Sequence, residues 1–342
     1  MKKLGTRLAA LGAVCAVPQI CFAQTAQTAQ TTPAQTTPEE RGTFSVLFEN
    51  DYFFHTDRDY TNGVELAWTS SPSDTPDWSI DWARKLPFFA ANGEVRTSYS
   101  LWQNIYTPSD LHLSNPPPTA RPYAGWLYFS YGLIEKSDTT LDQLQVQLGM
   151  VGPASLAEET QKFVHAVLGD TNPQGWGTQL HNEPAFLIGD ERAWRALASG
   201  SLAGFSFDVD PHLGAAVGTV YDYANAGAMV RVGFNLPDDY GPPRIEPSLP
   251  GTNFFEPTSA FGWYLFAGVD GRAVARNLFL DGNTWESSRH VEKIPLVGDL
   301  EIGAAISFEQ WRLSFMHVFR TREYTSQVHA DQFGAIDLSY RF

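Results

Sequence analysis

Asn50 and Asp51 stand side by side at the end of an alternating segment, offering a carboxamide oxygen and a carboxylate. Hard oxygen donors of this kind suit calcium better than zinc. A calcium ion held there would act as a Lewis acid, polarising an ester carbonyl and stabilising the oxyanion. His165 is the best candidate for a general base, because an imidazole titrates near the working pH. Asp170 follows closely and could orient that ring or stabilise its charge. Each group also has a plainer reading. An Asn-Asp pair at a strand end is common turn chemistry, and a lone loop histidine is more often exposed or neutral. Arg121-Pro122-Tyr123-Ala124-Gly125-Trp126 reads as a turn before an interfacial aromatic, and Asp57-Arg58-Asp59 as a solvated charge cluster.

The elements that must position these groups repeat with period two. Phe44, Val46 and Phe48 alternate with Ser45, Leu47 and Glu49, and Leu144, Val146 and Leu148 alternate with Gln143, Gln145 and Gln147. Tyr60, Asn62, Val64, Leu66 and Trp68 alternate with Thr61, Gly63, Glu65 and Ala67, a parity that turns Thr61 inward. Such segments have one apolar and one polar face. A soluble sandwich shares that signature. Segments of about ten residues match a tilted membrane-crossing strand. Trp68, Tyr106, Trp126, Tyr128, Trp263, Tyr264 and Trp311 lie near segment ends, as interfacial girdles would, and the chain closes on Phe342. The expectation is an all-β transmembrane antiparallel barrel. Twelve strands are read over 43–51, 59–70, 96–106, 123–135, 139–150, 183–198, 205–218, 225–234, 262–275, 296–308, 310–320 and 331–342.

An even count puts both termini in the periplasm and the connections after strands one, three and five outside. Residues 71–95 and 235–261 are then long periplasmic connections, the first with a short amphipathic helix around 76–82. The outer connection over 150–182 contains a second helix, with Ser155 and Glu158 as a capping box and Leu156, Phe163, Val164, Val167 and Leu168 as an apolar stripe.

The N-terminus reads as targeting sequence. Lys2, Lys3 and Arg7 precede an apolar run over 8–17, and small residues approach Ala23, so 1–23 is a cleavable signal peptide. Residues 24–42, rich in Gln, Thr and Pro, form a disordered linker, and 43–342 the barrel. The only two cysteines, Cys15 and Cys21, leave with the leader, which removes thiol catalysis and thiolate metal sites from consideration. Mean hydropathy is −0.23, too polar for a helical membrane protein. A formal charge of −15 argues against a nucleic-acid partner.

A family resemblance runs through these motifs in order. Glu49-Asn50-Asp51 is followed by Thr56-Asp57-Arg58-Asp59-Tyr60-Thr61-Asn62-Gly63, then Gln103-Asn104-Ile105-Tyr106-Thr107-Pro108-Ser109-Asp110. Arg121 to Trp126, Gly152-Pro153, His165, Gln174-Gly175-Trp176 and Gln179-Leu180-His181-Asn182-Glu183-Pro184 complete the set. Together they resemble the outer-membrane lipid A 3′-O-deacylases of the LpxR type, over essentially the whole mature chain. The resemblance implies a twelve-stranded barrel and a calcium-dependent esterase. Such an enzyme removes the 3′ acyloxyacyl chain from lipid A, or lipopolysaccharide, in the outer leaflet. It implies Asn50 and Asp51 as the Asn-Asp pair that also holds calcium, Thr61 as the strand-two threonine, and His165 as the catalytic base. Arg121 and Tyr123 are candidates for substrate binding, because lipid A phosphates favour a cationic clamp. Six positions after the histidine, where one branch of the family has an acidic residue, this chain has Thr171 beside Asp170. The barrel assembly machinery is the expected partner in biogenesis, and the expected state is a monomer in the bacterial outer membrane. Two other readings stay open: a small porin or structural barrel, and a phospholipase or acyl transferase with Ser109 as its serine candidate.

Overall fold

The computed structural model describes residues 42–54, 58–89, 92–169, 171–242 and 253–342. The leader and linker expected over 1–42 lie outside these residues, apart from Gly42. Among the described residues, thirteen strands follow one another, all pairing antiparallel. They are β1 (Thr43–Asn50), β2 (Asp59–Thr69), β3 (Glu94–Thr107), β4 (Ala124–Lys136), β5 (Thr140–Val151), β6 (Glu183–Trp194), β7 (Ala198–Leu202), β8 (Phe205–Gly218), β9 (Tyr221–Phe234), β10 (Phe261–Asn277), β11 (Leu296–Phe308), β12 (Trp311–Arg320) and β13 (Asp331–Arg341). β1 closes on β13 from Thr43↔Arg341 to Asn50↔Gly334, and β6 closes on β8 from Leu187↔Gly218 to Ala193↔His212. Twelve strands therefore form the closed ring that the alternation predicts. β7 is an addition, paired with the part of β8 that β6 does not reach. Closure leaves no strand edge unpaired in hydrocarbon, where each lost hydrogen bond is costly.

The faces are inverted relative to a soluble protein. Phe44, Leu66, Leu101, Phe129, Leu148 and Ile188 project outward and are exposed, while Ser45, Glu65, Ser100, Ser130, Gln147 and Glu191 project inward and are buried. An apolar outer wall around a polar interior is the arrangement hydrocarbon demands. The aromatic girdle needs correction. Trp68, Trp263 and Trp311 do lie on the outer face, but Tyr106, Trp126, Tyr128 and Tyr264 point into the barrel and are buried. In β3 and β4 both faces carry large apolar groups, so sequence parity alone could not say which way each ring turns.

Side chains and connections fill the lumen. From the long connection between β9 and β10, Asp239 pairs with Arg231 at 2.6 Å and Arg312 at 3.3 Å. Farther along, Asn253 donates to Glu65 Oε1 at 2.9 Å, and Glu256 pairs with Arg96 at 2.5 Å and with Lys136. One connection thus touches strands on opposite walls. At the other end Tyr106 and Tyr221 join hydroxyls at 2.9 Å, and Phe279 stacks on Tyr106 with ring centroids 4.1 Å apart.

Two helices lie outside the ring, both against β3 and β4. Helix α1 (Asp77–Ala83) occupies the first long connection, where a short helix is expected, and buries Ser79 and Ala83. It packs beside Val95 and Leu133 on the outer wall. Helix α2 (Ala157–Leu168) lies at the opposite end of the same strands, the end read from the sequence as outer.

Candidate functional site

Asn50 and Asn62 are cross-strand partners in the β1–β2 ladder. Asn50 has the parity of the outward residues Phe44, Val46 and Phe48, so the pair lies on the outer face of the rim. Between Tyr60 and Asn62 the β2–β3 register shifts by one residue, leaving Thr61 as the extra residue of a bulge. A bulge re-aims side chains. Here it turns Tyr60 into the lumen, where its hydroxyl donates to Glu49 Oε2. Thr61 Oγ1 meets Thr107 Oγ1 at 2.6 Å. Thr107 shares the outward parity of Ile105 in β3. The bulge therefore overturns the inward parity read for Thr61, because one inserted residue exchanges the two faces above it.

Asp51 opens a single 3₁₀ turn, Asp51–Phe54, immediately after β1. The Asn50 amide oxygen accepts from Tyr52 N at 2.6 Å, and Asp51 Oδ2 accepts from Arg58 N at 2.6 Å. These bonds are the turn chemistry that such a pair favours, and they also fix both oxygens at the rim. Asn62 donates its Nδ2 to Glu49 O at 3.0 Å. Its Oδ1 is buried without a hydrogen-bond partner among the described residues. Carboxamide, hydroxyl and carboxylate oxygens are thus gathered on β1, β2 and the following turn. This donor set fits a hard cation such as calcium. Among the described residues no three His, Cys, Asp or Glu side chains cluster as metal ligands, so a cation here would rely on neutral oxygens beside Asp51.

α2 rests on the outer face one strand farther round. Gln103 donates to Ser155 O at 2.6 Å, and Ile105, Tyr123, Ala157 and Trp176 form one buried cluster. The expected capping box does not form. Ser155 belongs to a preceding 3₁₀ turn and donates to Gly152 O at 2.6 Å, while Leu156 caps the helix with φ 59° and no side-chain bond. The predicted apolar stripe is also not the packed face. Ala157, Gln161 and His165, four residues apart, are buried, whereas Phe163 and Val167 are exposed. Gln161 accepts from the Trp176 indole at 2.8 Å, locking that face.

His165 consequently faces the wall. Its Nδ1 lies 2.7 Å from the backbone carbonyl of Thr171. Gly169, with φ 76°, ends the helix and sends its N–H back to His165 O, and this left-handed cap turns the chain so that the Thr171 carbonyl meets the ring. A carbonyl can only accept, so Nδ1 carries the proton and Nε2 the basic lone pair. Asp170 lies outside the described residues.

Arg121 and Tyr123 have other surroundings. Arg121 is buried, with Nη1 2.8 Å from Glu323 Oε2 and its guanidinium 4.6 Å from the centre of the Tyr106 ring. Burial opposes the charge of Glu323, but Arg121 and Arg320 outweigh it and hold the carboxyl below its usual range. Burial likewise opposes the Arg121 charge, and Glu323 and Asp59 more than restore it. Tyr324 donates to Asp59 at 2.8 Å in the same assembly, and burial raises its phenol well above the ordinary value, with Asp59 adding to the rise. The Arg121–Glu323 pair braces this end of the lumen. Tyr123 is buried under α2, its ring 4.9 Å from Trp176.

The structure thus brings Asn50, Asp51 and Thr61 to one rim and sets His165 on a helix against the adjoining wall. Asn62, Thr107, Gln161 and the Thr171 carbonyl join them. Asn62 and Thr107 lie inside the quoted motifs, whereas a backbone carbonyl leaves no residue-type signal.

The family model for the outer membrane protein LpxR matches residues 11–342. No curated protein matches the chain. Among solved structures, LpxR from Salmonella typhimurium is similar with a TM-score of 0.72 and 18% identity, over 88% of this chain and 100% of that chain. The β domain of the Bordetella autotransporter BrkA gives a TM-score of 0.40 at 8% identity, over 88% of this chain and 97% of that chain.

Proposed function

The chain belongs to the LpxR family of outer membrane proteins, and from that premise we propose that it is a lipid A deacylase. It hydrolyses the 3′-linked acyloxyacyl ester of lipid A in the outer leaflet. The observation that carries this reading is the tautomer of His165. With its Nδ1 proton held by Thr171 O at 2.7 Å, the imidazole presents Nε2 as a base toward the barrel wall. There it can take a proton from water and later return it to the leaving alkoxide.

The oxygens of Asp51 and Asn50 would hold calcium, with Thr61 and Asn62 adjoining them. When bound, calcium supplies a Lewis-acid contact for the ester carbonyl. Asp51 contributes the formal negative charge, and Arg58 N fixes its orientation through Oδ2. Tyr123 and Trp176 keep the histidine helix on the wall. The site lies on the outer face of the barrel, so a lipid can reach it laterally without entering the lumen. Connections and ion pairs occupy that lumen, which favours this reading over an open porin.

The test is mass spectrometry of lipid A from cells expressing the protein. The expected result is loss of one acyloxyacyl group, abolished by His165→Ala and by chelation of calcium. Unchanged lipid A across calcium concentrations, with the barrel correctly assembled, would sink the proposal. Free fatty acid from phospholipid instead would identify a phospholipase.

A further inference from the structure

Helix α2 has three faces rather than two. Residues advance around a helix by about 100° each, which places Ala157, Gln161 and His165 together on the side that packs against β3 and β4. Glu158, Glu159 and Lys162 occupy one flank, with Lys162 2.5 Å from Glu158. The other flank carries Thr160, Phe163, Val164 and Val167. Phe163 at 70% and Val167 at 69% are strongly exposed, Val164 is half-buried, and the cap residue Leu156 is exposed beside them at 52%. In water that flank would be an unfavourable surface.

Its surroundings indicate what covers it. The helix is seated on the outer face at Gln103 and Ile105, and two residues below Gln103 the wall already presents exposed Leu101. On the neighbouring strand Phe129 continues that band. The apolar flank is thus continuous with a surface that an outer-membrane barrel turns to lipid. At the periplasmic end of the same two strands, α1 packs on the wall with Trp78 and Trp82 exposed, as residues at a membrane interface are.

We propose that α2 is an interfacial lipid-binding helix, its Phe163–Val167 flank seated among the acyl chains of the outer leaflet and its Glu158–Lys162 flank in the headgroup layer. An amphipathic helix lying in the interface plane buries its apolar side to the depth at which headgroups meet chains. Ester linkages lie near that depth. Resting on the deacylase reading, the same seating would present lipid esters to the wall-facing His165.

The test is spin labelling of single-cysteine variants at Phe163, Val167 and Glu159, with Cys15 and Cys21 changed to Ser. Folded barrels, selected by heat-modifiable gel migration, are reconstituted into phosphatidylethanolamine–phosphatidylglycerol vesicles. Collision with oxygen should dominate over collision with a water-soluble nickel chelate at 163 and 167, and the order should reverse at 159. Dominance of the nickel chelate at 163 and 167 would overturn the proposal. Shielding from both reagents there would also overturn it, by revealing a protein contact. The measurement needs no turnover, so a lipid-seated flank on an inactive protein would refute the deacylase reading and leave this one standing.

Discussion

His165 Nδ1 lies 2.7 Å from the carbonyl oxygen of Thr171, six residues farther along the chain. The Nδ1 edge of the imidazole is therefore held by main chain, and the position of that carbonyl depends on the Gly169 cap rather than on the side chain at 171. Thr171→Ala should leave deacylation near the parent rate, whereas His165→Ala should lower it by about 10²–10⁴-fold, the usual share of a general base. Rates on purified lipid A would check both. A collapse in Thr171→Ala would mean that the threonine side chain, not the carbonyl, matters.

Gly125 allows α2 to approach the wall. A Cβ there would stand 2.1 Å from Ser155 Oγ and 2.2 Å from Ala157 Cβ. Gly125→Ala should lift the start of α2, lowering activity while the barrel still assembles. Heat-modifiable gel migration together with lipid A profiling would separate these effects.

The oxygens at the rim predict a graded response to calcium. Beside Asn50, Asn62 keeps a buried Oδ1 without a hydrogen-bond partner among the described residues. Asn62→Leu should raise the calcium concentration needed for half-maximal activity, and Asp51→Ala should abolish the response. Calcium titrations of the deacylation rate would show this, and an unchanged midpoint in Asn62→Leu would exclude that residue from the cation site.

Arg121 and Glu323 form a buried pair at 2.8 Å, and breaking one partner of such a pair costs about 3–5 kcal/mol. Arg121→Ala should therefore destabilise the barrel in urea. The carboxyl of Glu323 is held below its usual value of 4.5. Its contribution is fully present above that value and is lost as pH falls through the lower, folded-state value. The acid limb of unfolding should flatten in Glu323→Gln, as urea midpoints measured against pH would reveal.

Inside the lumen Asp239 bridges Arg231 of β9 and Arg312 of β12. The parent protein is expected to show no steady porin-like conductance in planar bilayers. Asp239→Ala, which removes the carboxylate shared by these two buried guanidiniums, should increase leak. Large conductance in the parent would contradict a filled lumen.

Much of this molecule is written in its alternation. A period of two with Phe44, Leu66 and Leu148 on one face and Ser45, Glu65 and Gln147 on the other suffices for a twelve-stranded wall, because each strand's two faces are chemically distinct. Where both faces are apolar, as around Trp126 and Phe129, the direction of each ring depends on its neighbours. The helix over 157–168 was legible from its composition, but its packed face was not. Burial of Gln161 and His165 depends on Trp176 and on the wall of β3 and β4, partners distant in sequence.

The sequence by itself determined the barrel and its strand number, and it named Asn50, Asp51, Thr61 and His165 as candidates, since local pattern and residue chemistry carry that information. Only the tertiary structure decided on which side of the wall they lie. A single bulged residue at Thr61 exchanges inside for outside, and a glycine cap lets a backbone carbonyl orient the histidine. Arg121, which sequence chemistry assigned to phosphate binding, closes the lumen with Glu323 instead. A local pattern cannot encode these choices, because each depends on contacts between segments separated along the chain.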